Sequence, residues 1–354
     1  MDRNMVQKIV GKPALTHSGK TVAVILMLSV FAAFLGNVAA AEPPPKEIVY
    51  RLKWLKNISA VGDLYAKDLG FFDAAGLQVT LNAGGPERDA IKELELGYAQ
   101  FGVASGDQVV RALAKGSPVV VIAQIFQINP LQWIYHEDEP VIEKLHALKG
   151  KTIGVTFGGN DEAIMRTLLA EAGLTEKDVR FFSVRYDYTP FYRRRVTFWP
   201  VYQNSQAIIL GEKLSASGKG VRFLDPARFG VRFTANSVIT SRQMLLAHSD
   251  TVKRFITALM TGWAEALKPA NSAKALKRVH PFDRDTPEPV LEKQLAVTRA
   301  LVQPDPRLPI GAIDVAAWRQ TAQIMHAQGL IKHPVDIQSA LYPFGTPFNG
   351  KEKN

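Results

Sequence analysis

Three short stretches decide the fold: Leu77-Gln-Val-Thr-Leu-Asn-Ala-Gly-Gly-Pro86, Phe101-Gly-Val-Ala-Ser-Gly-Asp107 and Pro118-Val-Val-Val-Ile-Ala123. In the first, Leu77, Val79 and Leu81 alternate with polar residues, which is the spacing of a strand, and a glycine turn ends the run. The second is a short buried strand that runs straight into a helix start at Ser105-Gly106-Asp107. The third is an uninterrupted apolar run of strand length. Between them, Ala90, Ile91, Leu94 and Tyr98, then Val109, Val110 and Leu113, recur at helical intervals.

The same alternation extends upstream. Ile48, Tyr50, Leu52 and Trp54 predict a strand, and Val61, Leu64, Tyr65 and Leu69 predict a helix capped by Ser59 and stopped at Gly70. Strand and helix thus alternate within about 75 residues, as right-handed βαβ units of a mainly parallel sheet do. The pattern restarts at Lys149-Gly-Lys-Thr-Ile-Gly-Val155, with a turn at Gly158-Gly159-Asn160-Asp161, a helix bearing Met165, Leu168, Leu169 and Ala172, and a strand over 179–184. From Ser249 the texture becomes helical, led by the stripe Val252, Phe255, Ile256, Leu259, Met260, Trp263 and Leu267. The expected fold class is α/β with two lobes, each a mainly parallel sheet flanked by helices, followed by a helical tail.

Composition is consistent with this. The chain has 354 residues, 47% hydrophobic and 21% charged, enough for two ordinary cores. It contains no cysteine, which excludes disulfides, thiolate metal sites and a cysteine nucleophile. Residues 1–41 predict a signal peptide: Lys8, Lys12 and Lys20 precede an apolar run over 21–35, and Ala39-Ala40-Ala41 offers the cleavage site. That segment carries Arg3 and three Lys against Asp2, so its removal takes the formal charge from +10 to +7. The remaining basic residues are scattered apart from Arg193-Arg194-Arg195, and no nucleic-acid partner is expected. The run Ala14-Leu-Thr-His-Ser-Gly19-Lys20-Thr21 misses a phosphate-loop pattern by its first Gly and lacks a preceding strand.

In an open parallel sheet the loops after the strands line a crevice, and helices starting there present free N–H groups to it. Three junctions have this character: Gly84-Gly85-Pro86, Ser105-Gly106-Asp107 and Phe157-Gly158-Gly159-Asn160-Asp161. A ligand between two lobes would touch all three. Glycine-rich strand-to-helix turns also occur throughout α/β proteins, and none here carries a dinucleotide fingerprint.

Gly70-Phe71-Phe72, Gly97-Tyr-Ala-Gln-Phe-Gly102, Ala112-Leu-Ala-Lys-Gly116-Ser-Pro118 and Leu148-Lys-Gly-Lys-Thr-Ile-Gly154, in order with the stretches above, resemble periplasmic solute-binding proteins of ABC importers. The branch that handles nitrate, sulfonates, taurine and thiamine-pyrimidine precursors is the most similar, over about residues 46–270. The resemblance implies a type II periplasmic-binding-protein fold in which the chain crosses twice between lobes. Lobe 1 would comprise 46–135 and 234–345 and lobe 2 would comprise 136–233, with crossings near Trp133–Tyr135 and Ser237–Thr240. It further implies a periplasmic protein without a cofactor whose partners are a small ligand and an inner-membrane ABC permease with its ATPase.

Candidate ligand-binding residues follow from the junctions, the aromatic residues and the resemblance. Trp54, Asn57, Gly84, Gly85, Ser105, Gly106 and Gln127 belong to the first lobe. Phe157, Gly158, Gly159, Asn160, Asp161 and Glu162 form the third turn, and Tyr188, Trp199, Tyr202 and Asn204 lie beyond it. Aromatic rings with a few polar groups suit a small planar heterocycle; core packing is the competing role for each ring, and helix-start stabilisation for Asp161 and Glu162. Ser205 stands where an acid is common in the thiamine-precursor members. The alternatives are an alkanesulfonate, taurine or nitrate-like anion in the same role, an enzyme of thiamine-pyrimidine synthesis, or a sensory input domain. Against catalysis stand the missing cysteine and the absence of His-Glu-x-x-His and Gly-x-Ser-x-Gly patterns.

Overall fold

The structure, a computed structural model, describes residues 47–85 and 87–342. The predicted signal segment and its cleavage site lie outside the described residues, as do Pro86 and the last residues assigned to lobe 1. Strands are numbered β1–β10 along the chain, and helices of eight or more residues α1–α8.

The first sheet contains β1 (Ile48–Arg51), β2 (Val79–Asn82), β3 (Phe101–Ala104), β4 (Val119–Gln124) and β10 (Ser237–Ser241), in the order β2-β1-β3-β10-β4. β1 is parallel to β2 and β3, whereas β10 is antiparallel to both β3 and β4. The second sheet places β5 (Leu131–His136) antiparallel between β8 (Trp199–Tyr202) and β9 (Val221–Leu224). β6 (Thr152–Val155) and β7 (Arg180–Ser183) form a parallel pair beside it, joined through the Gly154 amide to the Phe198 carbonyl at 2.8 Å and a parallel bridge between Ile153 and Phe198. Each sheet is therefore parallel on one side and antiparallel on the other. The antiparallel intruder in each case is a strand that arrives from the other sheet, without the helical crossover that would make it parallel.

Trp133, Ile134 and Tyr135 lie in the middle of the second sheet, with ladders on both flanks. Ser237–Thr240 are likewise inside the first sheet. The chain passes between sheets just before each of these strands, over 125–130 and 225–236. The two passages run together: Asn236 O accepts from the amides of Ile125 (2.9 Å) and Phe126 (3.2 Å), and Asn129 Nδ2 donates to Phe233 O at 3.1 Å.

α1 (Val61–Asp68) and α5 (Ser249–Leu267) pack together over the first sheet. The Phe255 ring stacks on Phe101 with centroids 3.7 Å apart and is flanked by Phe72 and Tyr50. A Cβ on Gly62 would lie 2.0 Å from the Trp263 ring, and one on Gly262 would lie 2.4 Å from Ala66 Cβ, so each glycine admits the opposite helix at close range. A second apolar cluster joins α2 (Gly106–Leu113), α3 (Asn160–Glu171) and α8 (Val315–Ala327) with residues of both sheets, including Val121, Trp133 and Trp318. α4 (Gln206–Ser215) lies against β8 and β9, α6 (Ser272–Val279) packs on α1, and α7 (Glu288–Val302) packs on α4 and α6. β4 is an edge in sheet order yet fully buried, because Gly311 and Leu341 bridge to it and cover its open side.

Gly262→Ala should lower stability by about 1–3 kcal/mol in urea unfolding, since the added methyl overpacks the helix pair. An unchanged midpoint would show that α1 and α5 do not approach this closely.

Candidate functional site

The ends of β1 and β3, the crossing at Ile125 and Phe126, the turn before α3 and the strand β8 surround one cavity of about 220 Å³. At its mouth, the Trp54 ring lies 5.4 Å from that of Tyr186, on the far side of the cleft. Beside them Arg185 pairs with Glu87. Asn57 Nδ2 reaches Ser205 Oγ at 3.5 Å, and toward the surface Arg111 donates to the Gly158 and Gly159 carbonyls at 3.3 Å. Contacts between residues attached to opposite sheets therefore close the cavity on several sides.

Lys53 occupies the centre of the charge distribution. Strand alternation at the end of β1 turns it inward, where Nζ donates to Asn160 Oδ1 at 3.0 Å and lies 5.8 Å from the Tyr202 ring centroid. Burial works against its charge, but Tyr202, Asp107 and Asp161 outweigh that and hold its pKa above the usual lysine value. Asp161 accepts the Thr156 amide at 2.5 Å. Its burial lifts the carboxyl to about 6 against the pull of Thr156 and Lys53. Asn160 is only 4% exposed, and its Nδ2 has no partner, so one buried donor remains unused on the cavity wall.

Asp63 lies on the floor, on α1, and accepts the Tyr50 hydroxyl on Oδ1 at 2.6 Å. Desolvation lifts its carboxyl to about 7, although hydrogen bonding from the Tyr50 hydroxyl, its own backbone amide and the Trp263 indole pulls the other way. The Trp263 indole thus faces the Asp63 carboxyl at this end of the cavity.

Over residues 57–273, three-fifths of its length, the sequence matches the family described as NMT1/THI5 like. The chain belongs to that family. A riboflavin-binding protein, RibY of Chloroflexus aurantiacus, is 25% identical over 322 residues, covering 85% of this chain and 86% of the relative. A putative thiamine biosynthesis protein of Haemophilus influenzae is 24% identical over 297 residues, covering 81% and 88%. In fold, the chain is similar to the alkanesulfonate-binding protein SsuA of Xanthomonas axonopodis pv. citri, with a TM-score of 0.66 at 18% identity over 85% of this chain and 99% of that one. That likeness establishes the periplasmic-binding-protein fold.

In this NMT1/THI5-like chain, several of the expected residues line the cavity. Trp54, Asn57 and Gly85 do so from the first sheet's side, and Phe157 to Asp161 contribute the third turn. Tyr188, Trp199 and Tyr202 also reach it. Trp199 is 1% exposed and packed among Phe182, Tyr188 and Phe191, so it is chiefly core.

Six expected residues do not line the cavity, each for a visible reason. Gly84 lets two backbones meet: its amide bonds Trp54 O at 2.8 Å, and a Cβ would stand 2.0 Å from Leu52 O. Ser105 closes a capping box with Gln108 at the start of α2. Gly106 is pressed on Thr234, where a Cβ would collide at 1.8 Å. Gln127 bridges the Gln124 and Ala312 carbonyls at 2.9 Å each. Glu162 accepts the Gly158 amide at 2.7 Å and pairs with Arg166, stiffening the turn from behind. Asn204, fully buried, donates to Ser59 Oγ at 3.1 Å and to Thr298 Oγ1 at 3.0 Å.

The reading of the sequence did not single out Lys53, Asp63, Arg185 or Trp263 as site residues. A charge inside an alternating strand and an acid next to the apolar Leu64 and Tyr65 at the start of a helix were the available signals. Trp263 was indistinguishable from the rest of its stripe. The Arg193-Arg194-Arg195 turn is not an anion site of this cavity; Arg194 pairs with Asp138 at 2.7 Å.

Trp54→Ala should weaken ligand binding at least roughly tenfold with little change in melting, while Trp199→Ala should cost about 3–5 kcal/mol of stability. Thermal shift beside calorimetry on each variant separates the two roles. Because folding raises the Asp161 pKa from 3.8 to about 6, the folded chain holds this proton more tightly than the unfolded one. Its contribution to stability is complete below pH 4 and is lost as pH rises through 6. Asp161→Asn should therefore flatten the change in melting temperature between those values.

Proposed function

We propose that this chain is the extracytoplasmic solute-binding subunit of an ABC importer, and that it captures a small planar nitrogen heterocycle of the thiamine-pyrimidine-precursor kind between two lobes. One lobe comprises the first sheet with the C-terminal helices, and the other the second sheet, divided at the passages over 125–130 and 225–236. The observation that carries this reading is the cavity itself: aromatic rings attached to both sheets, Trp54 and Phe126 on one side and Tyr188, Trp199 and Tyr202 on the other, surround a small volume together with balanced charged and amide side chains. At about 220 Å³ it is smaller than the roughly 300–1,000 Å³ of sites for drug-sized ligands. A single substituted ring fits that volume better than a tricyclic flavin.

Similarity to a riboflavin-binding protein and a thiamine biosynthesis protein supports a heterocyclic guest. Similarity to an alkanesulfonate-binding protein supports a sulfonate, and Lys53, Arg88 and Arg185 supply positive charge at the wall. The charge is offset. Asp63, Asp89 and Asp161 line the same cavity, and Lys53 is already bonded to Asn160. A sulfonate would meet acidic groups interleaved with the cations, whereas a neutral ring is indifferent to the balance.

The mechanism is capture and hand-over to a permease without chemistry on the guest. A ligand shifts the open–closed equilibrium only by its differential affinity for the closed state, about 5.5 kcal/mol for a swing from 1:99 to 99:1. A ring sandwiched by residues of both lobes gains contacts only on closure, which provides that difference.

Calorimetry with hydroxymethyl- and formylamino-pyrimidines, riboflavin and taurine tests the reading. The pyrimidines should bind at micromolar concentration or tighter, and taurine should give no heat. A preference for taurine would overturn the heterocycle.

A further inference from the structure

Asn160 is the first residue of α3, and the two carboxylates that follow it hold its turn: Asp161 Oδ2 accepts the Thr156 amide at 2.5 Å, and Glu162 Oε2 accepts the Gly158 amide at 2.7 Å. The Asn160 side chain lines the cavity, and its orientation is unambiguous, because Lys53 Nζ donates to it at 3.0 Å and an ammonium can only donate. The atom facing Lys53 is therefore Oδ1, and Nδ2 is the donor left buried without a partner. A donor hidden from water is costly to leave in that state unless a guest supplies the acceptor. Lys53 also has capacity to spare. Of its three N–H groups one goes to Asn160 and one to the Tyr202 hydroxyl, which leaves the third. The two nitrogens are close together. The oxygen and nitrogen of one amide are about 2.3 Å apart, so beyond the 3.0 Å bond Nδ2 lies no more than about 5.3 Å from Lys53 Nζ. One oxygen can stand within hydrogen-bond distance of both.

We infer that Lys53 and Asn160 form a two-donor clamp for one neutral exocyclic oxygen of the guest, a hydroxyl or a carbonyl. The number of lone pairs selects oxygen. A hydroxyl or carbonyl oxygen has two and accepts from both nitrogens at once, whereas a ring nitrogen has one, in the ring plane, and serves a single donor. The charge around the clamp selects a neutral group. Asp107 and Asp161 already act on Lys53, so its charge is offset, and an anionic oxygen would add a negative charge beside those carboxylates. The clamp also spans the cleft. Lys53 follows β1 in the first sheet, while Asn160 follows β6 on the side of the second. A guest oxygen bonded to both gains its second bond only on closure, which adds to the differential affinity that capture requires. The inference rests on the heterocycle reading above and deepens it.

The test compares a hydroxymethyl aminopyrimidine with the same ring carrying methyl in place of hydroxymethyl, by calorimetry on wild type, Asn160→Ala and Lys53→Met, with taurine as a separate arm. Wild type should prefer the hydroxymethyl compound roughly 10- to 100-fold, as expected of an oxygen held by one charged and one neutral donor. Each variant should bring the two compounds within a few fold, because the methyl compound has no bond to either residue to lose. The ratio is the readout: a general loosening of the cavity weakens both compounds alike and leaves it unchanged. Melting curves show that each variant is folded. Should Asn160→Ala fail to fold, Lys53→Met, which keeps the length of the side chain and removes its donors, carries the same test. Equal wild-type affinities for the two pyrimidines, or a preference that survives in either folded variant, would overturn the inference and leave the heterocycle reading standing. If wild type bound neither pyrimidine but bound taurine, the heterocycle reading itself would fall.

Discussion

The carbonyl of Asn236, which accepts the amides of Ile125 and Phe126, ties together the two passages between the sheets. The rest of the site depends on that tie. Each passage delivers a strand into the centre of the opposite sheet, β5 into the second and β10 into the first, and each is then locked by ladders on both flanks. Pulling either strand out would leave two rows of backbone groups without partners, which is why the connection is durable. It fixes where the strand ends of the two sheets meet, and hence where a cavity forms. Asn236 itself lines that cavity.

Around the cavity, the charged groups are arranged so that few are left over. Lys53 is taken by Asn160, Arg111 by Asp107 and the Gly158 and Gly159 carbonyls, and Arg185 by Glu87. Most of these contacts join residues attached to different sheets. Exposed pairs such as Arg185 with Glu87 contribute little stability but specify how the two sides register. The polar knot of Asn204, Ser59 and Thr298 does the same in the interior, where misalignment would strand buried groups. Among the described residues that line the cavity, the Asn160 amide is a buried donor left without a partner.

Much of the fold was legible because periodicity is a local property. The alternation at Ile48, Tyr50 and Leu52 is a strand, the spacing of Val61, Leu64 and Tyr65 is a helix, and the apolar run at Val119 is a buried strand. Strand pairing was less legible. Trp133-Ile-Tyr135 reads equally well as a linker strand or as the centre of a sheet, and only pairing with β8 and β9 distinguishes them. The third turn was readable as part of a cleft because glycine, asparagine and aspartate at a helix start carry backbone meaning in themselves. Ser105 and Gly106 have the same local signature, yet their side-chain and Cβ directions are spent on a capping box and on Thr234.

The sequence by itself determined which segments are strands and helices, that the chain builds two α/β halves, and to which family it belongs, since each of these rests on local pattern or on order along the chain. The tertiary structure alone decided that Lys53 and Asp63 face a cavity, that Trp199 is mostly core and that Asn204 is a tie between elements. Those outcomes depend on what lies across a gap, and residues such as Lys53 and Asn160, more than a hundred positions apart, come within 3.0 Å only when both strands have crossed.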